Sequence, residues 1–158
     1  MAKKEVDPKI AVADLIYQSC LLLDDMKFDE FLDMCTDDFQ YTITAYSPEA
    51  RTEMTWMDED KVSMKRILEV LPRHNSDHAA LSRHATVYKV DYDKKKKQAA
   101  VVSALQVFRT SLDGGETQLF AVAKIYDTIS LNGVGARFVS RNVRMGTRML
   151  GIGTHIPL

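Results

Sequence analysis

A chain of 158 residues can bury one sizeable core, roughly 70% of its unfolded surface, so a single domain over residues 1–158 is expected. Its 21 basic residues nearly cancel its 22 acidic ones, and a formal charge of −1 excludes a global electrostatic pull toward nucleic acid or an anionic membrane. The charged start Met1-Ala2-Lys3-Lys4-Glu5 does not lead into the apolar stretch of a signal peptide, and no later run is long enough to cross a bilayer, so a cytoplasmic protein is expected.

In chain order, Ile10, Ala13, Ile16, Tyr17, Cys20 and Leu23 recur at three- and four-residue steps, which predicts an amphipathic helix started by Asp7-Pro8. Phe28, Phe31, Leu32 and Cys35 repeat that spacing in a second, shorter helix after Asp24-Asp25. The period then drops to two over residues 39–46, a strand ending at Ser47-Pro48, with residues 53–57 as a short strand beside it. Asp58, Glu59 and Asp60 lead into a third helix over residues 62–71, with Val62, Ile67, Leu68 and Leu71 inward and Pro72 as its stop.

Four strand-like segments follow, at residues 81–91, 98–110, 117–130 and 136–148. Charged or glycine-containing connectors at residues 91–97, 112–115 and 131–135 suit hairpins. Strands of this length must curl, so the expected fold is α+β, three N-terminal helices packed on a strongly curved, mostly antiparallel sheet. Val87, Val101, Leu105, Val107, Phe120, Val122, Ile125, Ile129, Phe138 and Val143 are available to fill such a cone.

Few residues suggest chemistry. His74, His78 and His84 with Asp77 are the one concentration of metal-ligand types, but Pro72 breaks the helix that the four-residue spacing would need. His84 opens a strand and reads as a structural histidine more readily than as an acid or base; Asp14, Asp38, Tyr41, Tyr88 and Tyr126 are possible companions. Cys20 and Cys35 lie in segments that read as helical, without CxxC spacing, and read as reduced core thiols. Lys94–Lys97, next to Asp91 and Asp93, read as a solvated hairpin tip.

The last strand carries Arg137, Arg141, Arg144 and Arg148. Strict alternation puts Arg137 and Arg141 on one face and Arg144 and Arg148 on the other, unless a bulge intervenes. Arginine favours protein interfaces, so these four, with Arg83 and His84, are the candidate subunit interface. No dinucleotide fingerprint, P-loop, nucleophile elbow or CxH…CxxH cluster motif is present, and no 2-His-1-carboxylate set assembles.

Three stretches carry a resemblance: Phe28-Asp29-Glu30-Phe31-Leu32-Asp33-Met34-Cys35-Thr36-Asp37-Asp38-Phe39-Gln40-Tyr41, Leu81-Ser82-Arg83-His84-Ala85-Thr86-Val87, and residues 120–158 with their Arg-rich strand and Pro157-Leu158 ending. Together they resemble the β subunits of aromatic-ring-hydroxylating dioxygenases, within the NTF2-like superfamily. Leu71-Pro72-Arg73-His74-Asn75-Ser76-Asp77-His78 departs from the Trp-x-Glu-Asp-Pro-type stretch usual in that family, which leaves the subgroup open.

The resemblance implies an α3β3 assembly with β–β contacts. The Rieske [2Fe–2S] cluster and mononuclear iron would lie in the larger α subunit, and a reductase, sometimes with a ferredoxin, would supply electrons. It implies no cofactor, metal or catalytic residue in this chain. The segment before Ser82-Arg83-His84 and the Thr154-His155-Ile156-Pro157-Leu158 ending look closer to hydroxylases of aromatic acids or small sulfonates, methanesulfonate among them, than to hydrocarbon dioxygenases. The alternative is a self-sufficient enzyme of the ketosteroid-isomerase or polyketide-cyclase kind, with a general base in an open cone.

Overall fold

A computed structural model describes residues 6–74, 77–133, 135–147 and 156–158. Helix α1 (Pro8–Asp24) begins where Asp7 accepts a hydrogen bond from the Lys9 amide at 2.8 Å. Its buried stripe is Val12, Leu15, Ile16, Ser19, Cys20 and Leu23, whereas Ile10 and Tyr17, expected inside, are exposed. Ser19 explains the rotation. Its hydroxyl donates to the Ile16 carbonyl at 2.7 Å and accepts from Arg141 at 3.3 Å, so a polar residue takes a core position with its hydrogen bonds made.

Helix α2 (Phe28–Asp33) is short, and Cys35 opens the first strand instead of ending the helix. Helix α3 (Lys61–His74) buries Met64, Leu68 and Leu71. Val62 is exposed because Met64 takes the core-facing position in the first turn. Pro72 does not stop this helix; it lies in the last turn, where its missing N–H removes one hydrogen bond near an end that frays in any case.

The strands are β1 (Cys35–Ser47), β2 (Thr52–Asp60), β3 (Ala80–Asp93), β4 (Gln98–Thr110), β5 (Thr117–Ser130) and β6 (Arg137–Met145). They form one sheet in the order β2-β1-β6-β5-β4-β3. Every neighbouring pair is antiparallel except β1 and β6, which run parallel. Each strand is longer than the usual 5–6 residues, and the helices lie against one face only, which leaves an inner and an outer side.

Alternation sets the inner side: Phe39, Tyr41, Ile43 and Ala45 on β1, Ala99, Val101, Ser103, Leu105 and Val107 on β4, and Ala121, Ala123, Ile125, Asp127 and Ile129 on β5 are all buried. Phe31 anchors the helices to this layer, its ring centroid 6.3 Å from those of both Phe39 and Phe138. Val122, expected to fill the cone, points outward with 38% of its surface exposed.

A bulge decides the last strand. Ile129 pairs with Phe138 and Thr128 with Ser140, leaving Val139 as an extra residue on β6. Alternation restarts after it, so Phe138, Arg141, Val143 and Met145 all face inward, while Arg137 and Arg144 face out.

Candidate functional site

The inner side of the sheet holds a polar cluster inside an apolar shell. Arg141 is buried, and its Nε and Nη2 donate to the two Asp127 carboxylate oxygens at 2.8 and 3.0 Å. Nη1 donates to Ser19, and the guanidinium carbon sits 4.4 Å from the Phe138 ring centroid. Burial pushes the Asp127 carboxyl up against the pull of Arg141. Arg141 itself is held protonated by Asp127, against the effect of its own burial.

A second buried arginine ties the first helix to the third strand. Arg83 Nη1 meets Asp24 Oδ1 at 2.6 Å, and the Arg83 amide donates to both oxygens of the same carboxylate at 3.1 Å. Its Nη2 donates to the Pro157 carbonyl at 2.6 Å. Tyr41 completes the seat for residues 156–158: the Leu158 amide donates to its hydroxyl at 2.8 Å, and the hydroxyl donates to the Leu158 oxygen at 3.3 Å. Burial raises the Tyr41 phenol to about 12. Ile156, Pro157 and Leu158 are themselves buried, so this segment fills one end of the interior.

These contacts revise the expected interface. Arg83 and Arg141 are internal ion-pair partners with side chains 1% and 2% exposed, so neither is available to another subunit. For Arg141 the reason is the Val139 bulge, which turns it from the face of Arg137 to the interior. Arg137, Arg144 and His84 lie at the surface, and Arg148 falls outside the described residues.

His84 packs edge-on against Phe108 on the outer side of the sheet, 5.2 Å between centroids, and so does not point into the cone as a base. Asp77 is taken by Arg109, whose Nε and Nη2 donate at 2.7 and 3.0 Å, and that contact holds its carboxyl below the usual range. Asp14, Asp38, Tyr88 and Tyr126 are exposed, which leaves Tyr41 as the one of the five proposed companions that is buried. Among the described residues, no group of three or more His, Cys, Asp or Glu side chains is placed to hold a metal ion. Both cysteines are free and buried, and burial carries the Cys35 thiol to about 12.

The outer side of the sheet is different in character. A cleft of about 520 Å³ crosses β3, β4, β5 and β6, lined by Tyr88, Ala104, Gln106, Val122, Lys124, Tyr126 and Arg144 among others. A sheet face turned to water is ordinarily polar, yet Tyr88, Leu119, Val122 and Tyr126 are 65%, 54%, 38% and 39% exposed here.

Sequence comparison decides the affiliation. Residues 18–151 match the profile of the family described as ring hydroxylating beta subunit. The chain belongs to that family. As a member it is the small subunit of a multicomponent hydroxylating oxygenase, and an α subunit is its partner.

The β subunit of the methanesulfonate monooxygenase hydroxylase of Methylosulfonomonas methylovora is 40% identical to this β subunit, over 96% of this chain and 88% of that one. The β subunit of 2-aminobenzenesulfonate 2,3-dioxygenase from an Alcaligenes species is 30% identical, over 94% and 98%. The structure of naphthalene 1,2-dioxygenase with indole bound superposes with a TM-score of 0.78 at 20% identity, covering 99% of this chain and 88% of that chain. At that identity the likeness speaks for the fold alone, which is the NTF2-like cone the strand and helix order led us to expect. Among the described residues, no helix is long and apolar enough to cross a membrane.

Proposed function

We propose that this chain is the non-catalytic small subunit of a cytoplasmic iron oxygenase that hydroxylates a small or aromatic sulfonate. It assembles with the larger α subunit as α3β3 with β–β contacts. The Rieske cluster and the mononuclear iron reside in α, and a reductase, with or without a ferredoxin, supplies electrons.

One observation carries the non-catalytic reading: the interior that an isomerase or cyclase would keep open is occupied by the chain's own groups. Asp127, the buried carboxylate of the sheet, is 3% exposed and has both oxygens engaged by Arg141, so it serves as an internal ion-pair partner with little access for a substrate proton. Tyr41, the natural donor beside such a base, is bonded to Leu158. The sulfonate reading is supported by the two relatives of 40% and 30% identity, both from sulfonate-oxidising enzymes.

The test is co-expression with the partner α subunit, followed by light scattering, iron determination and turnover of methanesulfonate, 2-aminobenzenesulfonate and benzoate. Equal numbers of the two chains, iron that follows α, and sulfonate oxidation are expected. Isomerase or cyclase turnover by the isolated chain, or failure of α to co-purify, would overturn the reading.

A further inference from the structure

We infer that residues 156–158 plug a buried site for a small apolar carboxylate, with Arg83 as its anchor. The site lies within this chain and stands independently of the subunit reading. Tyr41 on β1 and Arg83 on β3 have β6, β5 and β4 between them in the sheet. In a flat sheet four strand spacings of about 4.8 Å would hold β1 and β3 roughly 19 Å apart. Here both side chains reach one three-residue segment, so the curl of the sheet has closed its two walls around a pocket.

What these walls grip is backbone. Arg83 Nη2 donates to the Pro157 carbonyl, and the Tyr41 hydroxyl accepts from the Leu158 amide and donates to the Leu158 oxygen. Ile156 and Leu158 bury apolar side chains, and Pro157 has no N–H that the interior would have to satisfy. The pocket therefore recognises a compact apolar body with an acceptor toward Arg83 and a polar group toward Tyr41. A free molecule can carry those features as well as a segment of this chain.

The Arg83 fork selects the acceptor. In Arg141 and in Arg109 the Nε and Nη2 donors together take both oxygens of one carboxylate. In Arg83 the same two donors face a single carbonyl oxygen: Nη2 lies 2.6 Å from it, while Nε is buried without an acceptor. The Arg83 side chain is 1% exposed, and a donor left unmade at that depth is uncommon and costly. A carboxylate in place of the Pro157 carbonyl gives each donor its own oxygen. Asp24 holds Nη1 and the Arg83 amide, which keeps the fork oriented. Ligand and plug compete for one place, so entry of the first requires departure of the second.

The probes are N-acetylleucine, which carries the carboxylate, and N-acetylleucinamide, which lacks it. Two variants loosen the plug: Ile156→Ala with Leu158→Ala in the full chain, and deletion of residues 156–158. Binding is read by calorimetry and by thermal melting, beside the parent chain. We expect both variants to bind N-acetylleucine at least about tenfold more tightly than N-acetylleucinamide, and more tightly than the parent does. Arg83→Lys in the loosened full chain keeps the charge and loses the fork, and is expected to abolish the preference for the carboxylate.

Equal affinity for the two probes, or no binding by a folded variant, would overturn the site. If the deletion leaves the chain unfolded, N-acetylleucine is expected to restore its circular dichroism at lower concentration than the amide does. Absence of that restoration counts against the site in the same way. None of these outcomes bears on retention of α by the parent chain, which tests the subunit reading separately.

Discussion

Arg141 and Asp127 face each other across neighbouring strands as a register pair, joined by two hydrogen bonds of 2.8 and 3.0 Å with both side chains nearly inaccessible to water. Such a pair sets its own rules for mutation. Desolvating two charges offsets most of their attraction, so the pair adds little net stability, but removing one partner strands the other in the core.

Arg141→Met and Asp127→Leu are each expected to destabilise the chain by about 3–5 kcal/mol in urea titrations. The double variant should lose clearly less than the sum, because no uncompensated charge remains. Additive losses would show that the two side chains do not act as a unit.

Tyr41→Phe removes a hydroxyl that both accepts from the Leu158 amide and donates to the Leu158 oxygen. The expected cost is about 1–3 kcal/mol, since a buried amide is left without its acceptor. Deleting residues 156–158 in the Tyr41→Phe background should cost less than the same deletion in the parent, a coupling readable in a double-mutant cycle.

Alkaline pH should weaken the fold. Cys35 and Tyr41 have their acid constants raised by burial from 9.0 and 10.0 to about 12 each. The unfolded chain therefore loses these protons first, so their contribution is whole below pH 9 and disappears as pH rises from 9 to 12. For Cys35 the raised constant corresponds to a loss on the order of 4 kcal/mol across that window. Denaturant midpoints measured from pH 8 upward should fall, and Cys35→Ala should flatten the first part of that fall.

The same burial makes the thiols inert. Cys20 and Cys35 are 8% and 0% exposed, and both thiols are shifted upward by desolvation. Ellman's reagent at pH 8 is expected to leave both unmodified in the native chain and to titrate both in denaturant. Rapid labelling of the native protein would contradict the packing of α1 on the sheet.

Much of the fold was legible because its signals are local. Period-two runs and turn residues located β4 and β5 to the residue, and the helical spacing of Phe28, Phe31 and Leu32 located α2. What sequence could not supply were relationships that depend on registers. The inward turn of Arg141 hangs on one unpaired residue, Val139, and nothing in Phe138-Val139-Ser140 marks a bulge. Arg83 reads as a surface arginine until Asp24, 59 residues away, is seen beneath it. The outer cleft was illegible for the same reason, since Tyr88 and Tyr126 become neighbours only once β3, β4 and β5 are aligned.

The parallel pairing of β1 with β6 has a bearing on how the chain reaches this state. Tyr41 meets Arg141 and Ile43 meets Val143 across about a hundred residues of intervening chain, whereas β3, β4, β5 and β6 can form by successive hairpins. Loop-closure entropy therefore favours assembly of the hairpin run first, and the N-terminal β1–β2 pair closes onto β6 last. On a ribosome, β1 emerges long before its central neighbour exists. Until β6 is made, one edge of β1 stays unpaired, and this is the stage at which the nascent chain is most exposed to mispairing or aggregation.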